Sequence, residues 1–233
     1  MMKILRLTKL HPLVLLGGGG HCKSVIDVAE CAGYTILGIL DKPEEVGKRV
    51  LDYEVIGVDE DMVKYADKAE FVVTVGQIKS PVLRIKLHQM LEDTGCKLAT
   101  IISPLAHVSK YATIGEGTVV MHQAVINADA KVGKACIINT FANIEHDTVI
   151  GDFCHISTGS FVNGDCSVGE NVFLGSNSVV ANGIKICADC VIGAGSTIYR
   201  DITNKGVYVM DSRICNKLLV NGLDNRMGGG KQG

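Results

Sequence analysis

Residues 120–150 read VMHQAVINADAKVGKACIINTFANIEHDTVI, and their aliphatic residues fall six apart: Val120, Ile126, Val132, Ile138, Ile144 and Ile150. The step continues without a break, back through Ile114 and Val108 to Ile102. Forward it runs through Ile156, Val162, Val168, Leu174, Val180, Ile186 and Ile192 to Ile198, and it ends at Asn204. A strict period of six predicts a hexapeptide parallel β-helix. Each hexapeptide supplies a short strand and a corner, three make one coil, and successive coils stack into a triangular prism with strands about 4.8 Å apart. The periodic aliphatic residue points inward, where β-branched side chains pack well. Ile102 and Ile198 lie 96 positions apart, about five coils, with no insertion and so no large loop.

Two positions before the inward residue the chain is usually small: Ala124, Ala130, Cys136, Ala142, Thr148, Cys154, Ser160, Cys166, Ser178, Cys190 and Ser196 among others. Four cysteines are thereby read as small apolar corner fillers rather than reactive thiols. Gly115, Gly133, Gly151 and Gly169 recur every 18 residues along one edge, and the expectation is that they supply positive φ.

The rest of the composition agrees. The chain has 233 residues, 47% hydrophobic and 21% charged, with 27 Gly, 4 Pro and no Trp. That is too apolar for disorder, and it lacks the register of collagen. A net charge of −2 without a basic stripe argues against a nucleic-acid partner. No apolar run approaches the roughly 20 residues of a membrane span. Lys3, Arg6 and Lys9 precede Leu13 to Leu16, but that run is short for a signal peptide. Nine scattered cysteines, with Cys187 and Cys190 lacking a partner pair, read as a reduced cytoplasmic protein with no metal site.

The first hundred residues follow a different rhythm. Leu13–Leu16, Tyr34–Leu40 and Phe71–Val75 read as strands, Ser24–Ala32 and Pro81–Leu91 as helices, and Lys97–Ile102 as the lead into the prism. Alternation of this kind predicts a small parallel sheet covered by helices. Ligands of such sheets sit at the carboxyl ends of strands, here Gly17 to His21, Asp41 and Gly76. A glycine-rich loop opening a helix offers unpaired N–H groups to phosphate. Cys22 stands where a dinucleotide fingerprint has its third glycine, which favours a nucleotide-type ligand over NAD; a merely tight turn is the alternative.

Of seven histidines, His146 stands out by position. It follows the inward Ile144 by two, so it belongs near a corner and faces outward. Eighteen residues on lies Gly164, which leaves a slot beside the ring and a backbone N–H within reach of a reacting carbonyl. Glu145 and Asp147 flank it, and a neighbouring carboxylate orients an imidazole and raises its basicity.

Asn139-Thr140, Ile144-Glu145-His146-Asp147, Ile150-Gly151-Asp152 and His155-Ile156-Ser157 together resemble the bacterial hexapeptide acetyltransferases of nucleotide-linked amino sugars. The similarity is greatest to the UDP-N-acetylbacillosamine N-acetyltransferase type, with sialic acid O-acetyltransferases as relatives, and runs from Leu13 to about Val209. It implies a Rossmann-like α/β domain (1–100), a left-handed β-helix (101–213) and a C-terminal tail (214–233). It also implies a homotrimer with active sites between chains, acetyl-CoA along the prism, and a UDP-amino sugar on the first domain. Carried over by position, His146 is the general base and Asp147 its supporting carboxylate. His155, Gly164, Ser176 and Ala194 fall at coenzyme positions, and Gly19, Gly20, His21, Asp41, Lys42 and Gly76 at sugar-nucleotide positions. No metal is implied. Lys42, where the family often has a second Asp, and Met210-Asp211-Ser212, where it often has Gly-x-Pro-Ala, depart from the pattern. Direct N-acetylation of a UDP-4-amino sugar is the leading reading. O-acetylation of sialic acid or a related sugar, and a non-catalytic binding prism, are the alternatives.

Overall fold

A computed structural model describes residues 12–78 and 80–209 of the chain; the basic N-terminal cluster, Met210-Asp211-Ser212 and the glycine-rich tail lie outside the described residues. The first part is a five-stranded sheet. Leu13–Leu16 (β1), Ile36–Asp41 (β2), Tyr53–Val58 (β4) and Glu70–Val73 (β5) run parallel, and Arg49–Val50 (β3) pairs antiparallel at the edge, in the order β3-β4-β2-β1-β5. All four residues of β1 are buried, because helices cover both faces. Leu13 and Leu15 pack under Gly20–Cys31 (α1), whereas Val14 and Leu16 pack with Leu87 and Leu91 of Val82–Asp93 (α2). That split is the two-residue alternation of a strand.

Two elements differ from the sequence reading. α1 starts at Gly20 with Gly19 as its N-cap, four residues before the expected Ser24, because Gly20 and His21 carry no apolar periodicity to announce a helix. The β3–β4 hairpin was not expected. Its strands are short and mixed in polarity, and its turn uses Leu51 at positive φ rather than a glycine signal.

The second part is the left-handed prism. Strands 18 residues apart pair in register, as in Val125↔Asn143 and Ile126↔Ile144, giving faces of six, five and seven parallel strands. The periodic residues from Val120 to Ile192 are buried, whereas Ile102 at the first coil is 38% exposed. The small corner residues do more than fill space. The Thr118, Thr148 and Ser160 hydroxyls each donate to a carbonyl fifteen residues on, at Gly133, Asn163 and Gly175. The Cys154 and Cys166 thiols do the same to Gly169 and Ala181, at 3.0 Å. Burial pushes both thiols above their ordinary pKa, so neither is a ready nucleophile.

The expectation for Gly115, Gly133, Gly151 and Gly169 is corrected: none has positive φ. They are glycines because the next coil passes too close for a side chain. A Cβ on Gly151 would meet the backbone of Glu170 and Gly169 at 2.6–2.7 Å. The left-handed position lies elsewhere and recurs at every sixth residue from Gly117 to Gly195, with φ of 54–72°. Asp129, Asp147, Asp165, Asn171, Asn177 and Asp189 occupy it, as do Ala135, Phe141 and Phe153. Asp and Asn tolerate that region; alanine and phenylalanine do so at a cost of about 1–2 kcal/mol.

These two kinds of corner position make opposite predictions. Gly151→Ala should lower the unfolding free energy by about 1–3 kcal/mol through overpacking, whereas Ala135→Gly should leave it unchanged or slightly raised. Denaturant unfolding of the two variants checks both; equal losses would contradict the assignment.

Candidate functional site

One prism face carries Ile101, Val119, Ile137, His155, Phe173 and Val191. The α/β part sits on it. Ile101, Val119 and Met121 join the core beneath α1, and hydrogen bonds grip both flanking corners. At one, His122 Nε2 lies 2.9 Å from the Asp27 carboxylate. At the other, Arg84 donates from Nη2 to the Ala135 carbonyl at 2.7 Å and from Nη1 to Val75 at 2.7 Å. Arg84 is 1% exposed, and burial pushes its pKa down to about 10.

Between sheet and prism opens a cavity of about 780 Å³, lined by Gly17 to His21, Asp41, Lys42, Glu44, Glu45, Thr74 to Ile78, Leu83, Asn139 and His155. The strand ends shape it as the sequence predicts. Gly18 N–H donates to Asp41 Oδ2 at 2.6 Å and Lys42 N–H to Asp41 Oδ1 at 2.8 Å, so this carboxylate fastens the glycine loop. A Cβ on Gly18 would come within 2.9 Å of Asp41, whereas Gly19 and Gly20 face open space. α1 begins there without a side-chain cap or an acidic residue in its first turn, leaving its N–H groups for an anion.

His21 and His155 stand in this cavity with ring centroids 6.4 Å apart. His155 Nδ1–H donates to the Gln77 carbonyl at 2.6 Å, and Nε2 accepts from the Asn139 amide at 3.1 Å. That fixes a neutral tautomer. Burial lowers the pKa of His155 to about 4 and of His21 to about 3. Next to the cavity runs an apolar groove of about 510 Å³ along the same face, lined by Phe173, Gly175, Ser176, Val191, Ile192, Gly193, Ala194 and Val207, with Ile78 shared by both spaces. The structure thus unites Gly19, Gly20, His21, Asp41, Lys42, Gly76 and His155 in one space and Ser176 with Ala194 in the other. Sequence reasoning missed Arg84, Asn139, Thr74 and Gln77. Asn139 stood in the motif that carries the resemblance without a role given to it, and Arg84 showed as a charge among the apolar residues of a helix.

His146 lies apart. It sits between the strands Asn143–Ile144 and Val149–Ile150, at the prism corner opposite the face that holds His155. Its own hollow is lined by Tyr111, Ala128, Asp129 and Asp147. His146 Nδ1 is 2.7 Å from Asp147 Oδ2, and this hydrogen bond raises the histidine pKa. The ring side chain is 60% exposed, with Nε2 unengaged among the described contacts. Glu145 turns away, accepting from Asn127 and Asn143 at 2.8 and 3.0 Å. The slot expected above Gly164 is filled by the imidazole itself: a Cβ on Gly164 would lie 2.7 Å from His146 Cε1.

Residues 12–91 match the PglD N-terminal domain family, and residues 165–200 the bacterial transferase hexapeptide family. PerB of Caulobacter crescentus, solved with CoA and GDP-perosamine, is 35% identical; the match covers 85% of this chain and 94% of that one with a TM-score of 0.79. The chain belongs to the hexapeptide-repeat sugar N-acetyltransferases. The acetyltransferase domain of PglB from Neisseria gonorrhoeae, solved with acetyl coenzyme A, shares 28% identity over 86% of this chain and 97% of its own, with a TM-score of 0.78. An uncharacterized protein of Acanthamoeba polyphaga mimivirus is 34% identical over 115 residues, and the chain spans 22% of its length. No helix among the described residues is long and apolar enough to cross a membrane.

The buried neutral histidines make stability pH-dependent. His21, His88 and His155 have folded pKa values of about 3, 3 and 4, below the unfolded value near 6.5. The unfolded chain therefore binds more protons as pH falls below 6.5, and stability drops until pH passes the folded values. Three such groups give a slope of up to about 4 kcal/mol per pH unit near pH 5. Unfolding free energies at pH 7, 6 and 5 should show that decline, and His88→Gln should remove about a third of it.

Proposed function

We propose that the protein transfers the acetyl group of acetyl-CoA to the amino group of a nucleotide-linked amino-deoxy sugar, with a UDP-linked 4-amino sugar of the bacillosamine type as substrate. The single observation that carries this reading is the cavity where α1's uncapped N-terminus, the Asp41-fastened glycine loop and the apolar groove meet. The α/β part holds the sugar nucleotide, its phosphates at the start of α1 through Gly19, Gly20 and His21, with Asp41, Lys42 and Gly76 beside them. The prism takes the coenzyme. Phe173, Val191, Ile192 and Val207 give the groove an apolar lining suited to a pantetheine arm, with Ser176 and Ala194 also lining it. PerB and PglB support this ligand pairing, since those relatives were solved with CoA and GDP-perosamine and with acetyl coenzyme A.

His146 is the general base. With Nδ1–H held on Asp147, the Nε2 lone pair is the one presented outward. The amine attacks the thioester carbonyl, His146 Nε2 takes the ammonium proton as the C–N bond forms, and the C–S bond breaks to release coenzyme A, which receives a proton. The Gly164 N–H, without a hydrogen bond among the described residues, is available to the coenzyme's acyl oxygen. Because His146 occupies the corner opposite the cavity face, one chain cannot supply both. The reading therefore requires a neighbouring chain, as in a homotrimer whose sites lie between protomers.

His146→Ala should lower kcat by about 10²–10⁴, while Cys154→Ser should leave kcat near wild type. The rate should rise with pH through an apparent pKa above 6.5, since Asp147 raises that of His146, and Asp147→Asn should move the inflection down. Assays with UDP- and GDP-linked 4-amino sugars and with free sialic acid test the acceptor. Acetylation of sialic acid but of neither amino sugar would overturn the reading.

A further inference from the structure

The sequence offers no metal-ligand spacing, but the fold creates one. Asp27 and Cys31, one helical turn apart on α1, face His122 at the adjoining prism corner. An Asp27 oxygen, the Cys31 sulfur and a His122 ring nitrogen all lie within 4.8 Å of one another. The imidazole is held from behind: Ser103 Oγ, 1% exposed as a residue, lies 2.6 Å from His122 Nδ1 and accepts the Leu105 N–H at 3.0 Å. Nε2 is thereby aimed at Asp27, 2.9 Å away. A histidine whose second nitrogen is fixed by a buried hydrogen-bonding partner is how proteins prepare an imidazole for a metal. The last turn of α1 also carries no basic residue, so the negative end of its dipole is uncompensated.

We propose that Asp27, Cys31 and His122 bind a zinc-class divalent cation, with the fourth position left to water. Mixed sulfur, nitrogen and oxygen donors suit that ion. On binding, the Cys31 thiol proton passes to solvent, and the His122 proton shifts from Nε2 to Nδ1, where it is donated to Ser103 Oγ. Nε2, the thiolate and the carboxylate then take the cation. None of the three residues lines the cavity or the groove. The ion acts as a clasp between α1 and the prism, independent of acetyl transfer.

Titrating the reduced full chain with Co²⁺ should give one equivalent of binding and a thiolate-to-cobalt absorption band that Zn²⁺ displaces. Cys31→Ser should abolish the band, and Asp27→Asn should weaken binding by at least about 100-fold, beyond what loss of a supporting contact costs. Zn²⁺ should raise the thermal midpoint of the wild type but not of Cys31→Ser. The proposal is overturned by an absence of stoichiometric binding. It is equally overturned if the band survives Cys31→Ser and vanishes in Cys187→Ser, which would place the ion on Cys187 and Cys190, whose sulfurs lie 3.5 Å apart.

Discussion

A left-handed turn at every sixth residue is the constraint on which the molecule rests. Each turn rotates the chain onto the next face, and three of them return it directly over the residue 18 positions back. One extra residue between turns would carry every later aliphatic side chain off the inward line. With the register intact from Ile102 to Ile198, positions in the chain become positions in space. Asp147 shows how closely structure and chemistry share this frame: the φ that turns the corner also brings its carboxylate to His146. Gly164, one coil on, is bare where that ring comes to rest.

The period made most of the prism legible, because stacked identical corners must repeat in sequence. What stayed hidden has no period. The β3–β4 hairpin rests on six-residue and two-residue strands with a leucine in the turn, and its packing is decided by the neighbouring β2 rather than by local propensity. The first turn of α1 was obscured by glycines. The roles of Gly133 and Gly151 were misassigned because a repeated glycine signals either positive φ or close approach, and only coordinates separate the two. The cavity's glycine loop and Asp41 could be read from strand ends. Gln77 and Arg84 act across the junction of the two parts, and no apolar spacing tells where such contacts land.

The two parts are joined by one shared core and by hydrogen bonds at the corners to either side. α1 does triple service there. Its first turn opens on the cavity, its middle buries Val25, Ile26 and Ala29 between sheet and prism, and its last turn reaches His122. A displacement of that helix would disturb all three together, so the geometry of the cavity depends on how firmly the far end of α1 is held.

Arg84 gives this junction a further property. Its guanidinium is nearly as buried as any side chain in the molecule, yet it bonds backbone carbonyls from both parts rather than a carboxylate. Dissolved salt screens exposed charges within about a Debye length but scarcely reaches a dry donor–carbonyl bond. The exposed Lys134–Glu92 pair nearby, at 3.4 Å, loosens as ionic strength rises, while the Arg84 bridge does not. At the Ala135 corner the union of the two parts is thus the less sensitive to salt, whereas the exposed Asp27–His122 contact at the other corner is open to screening.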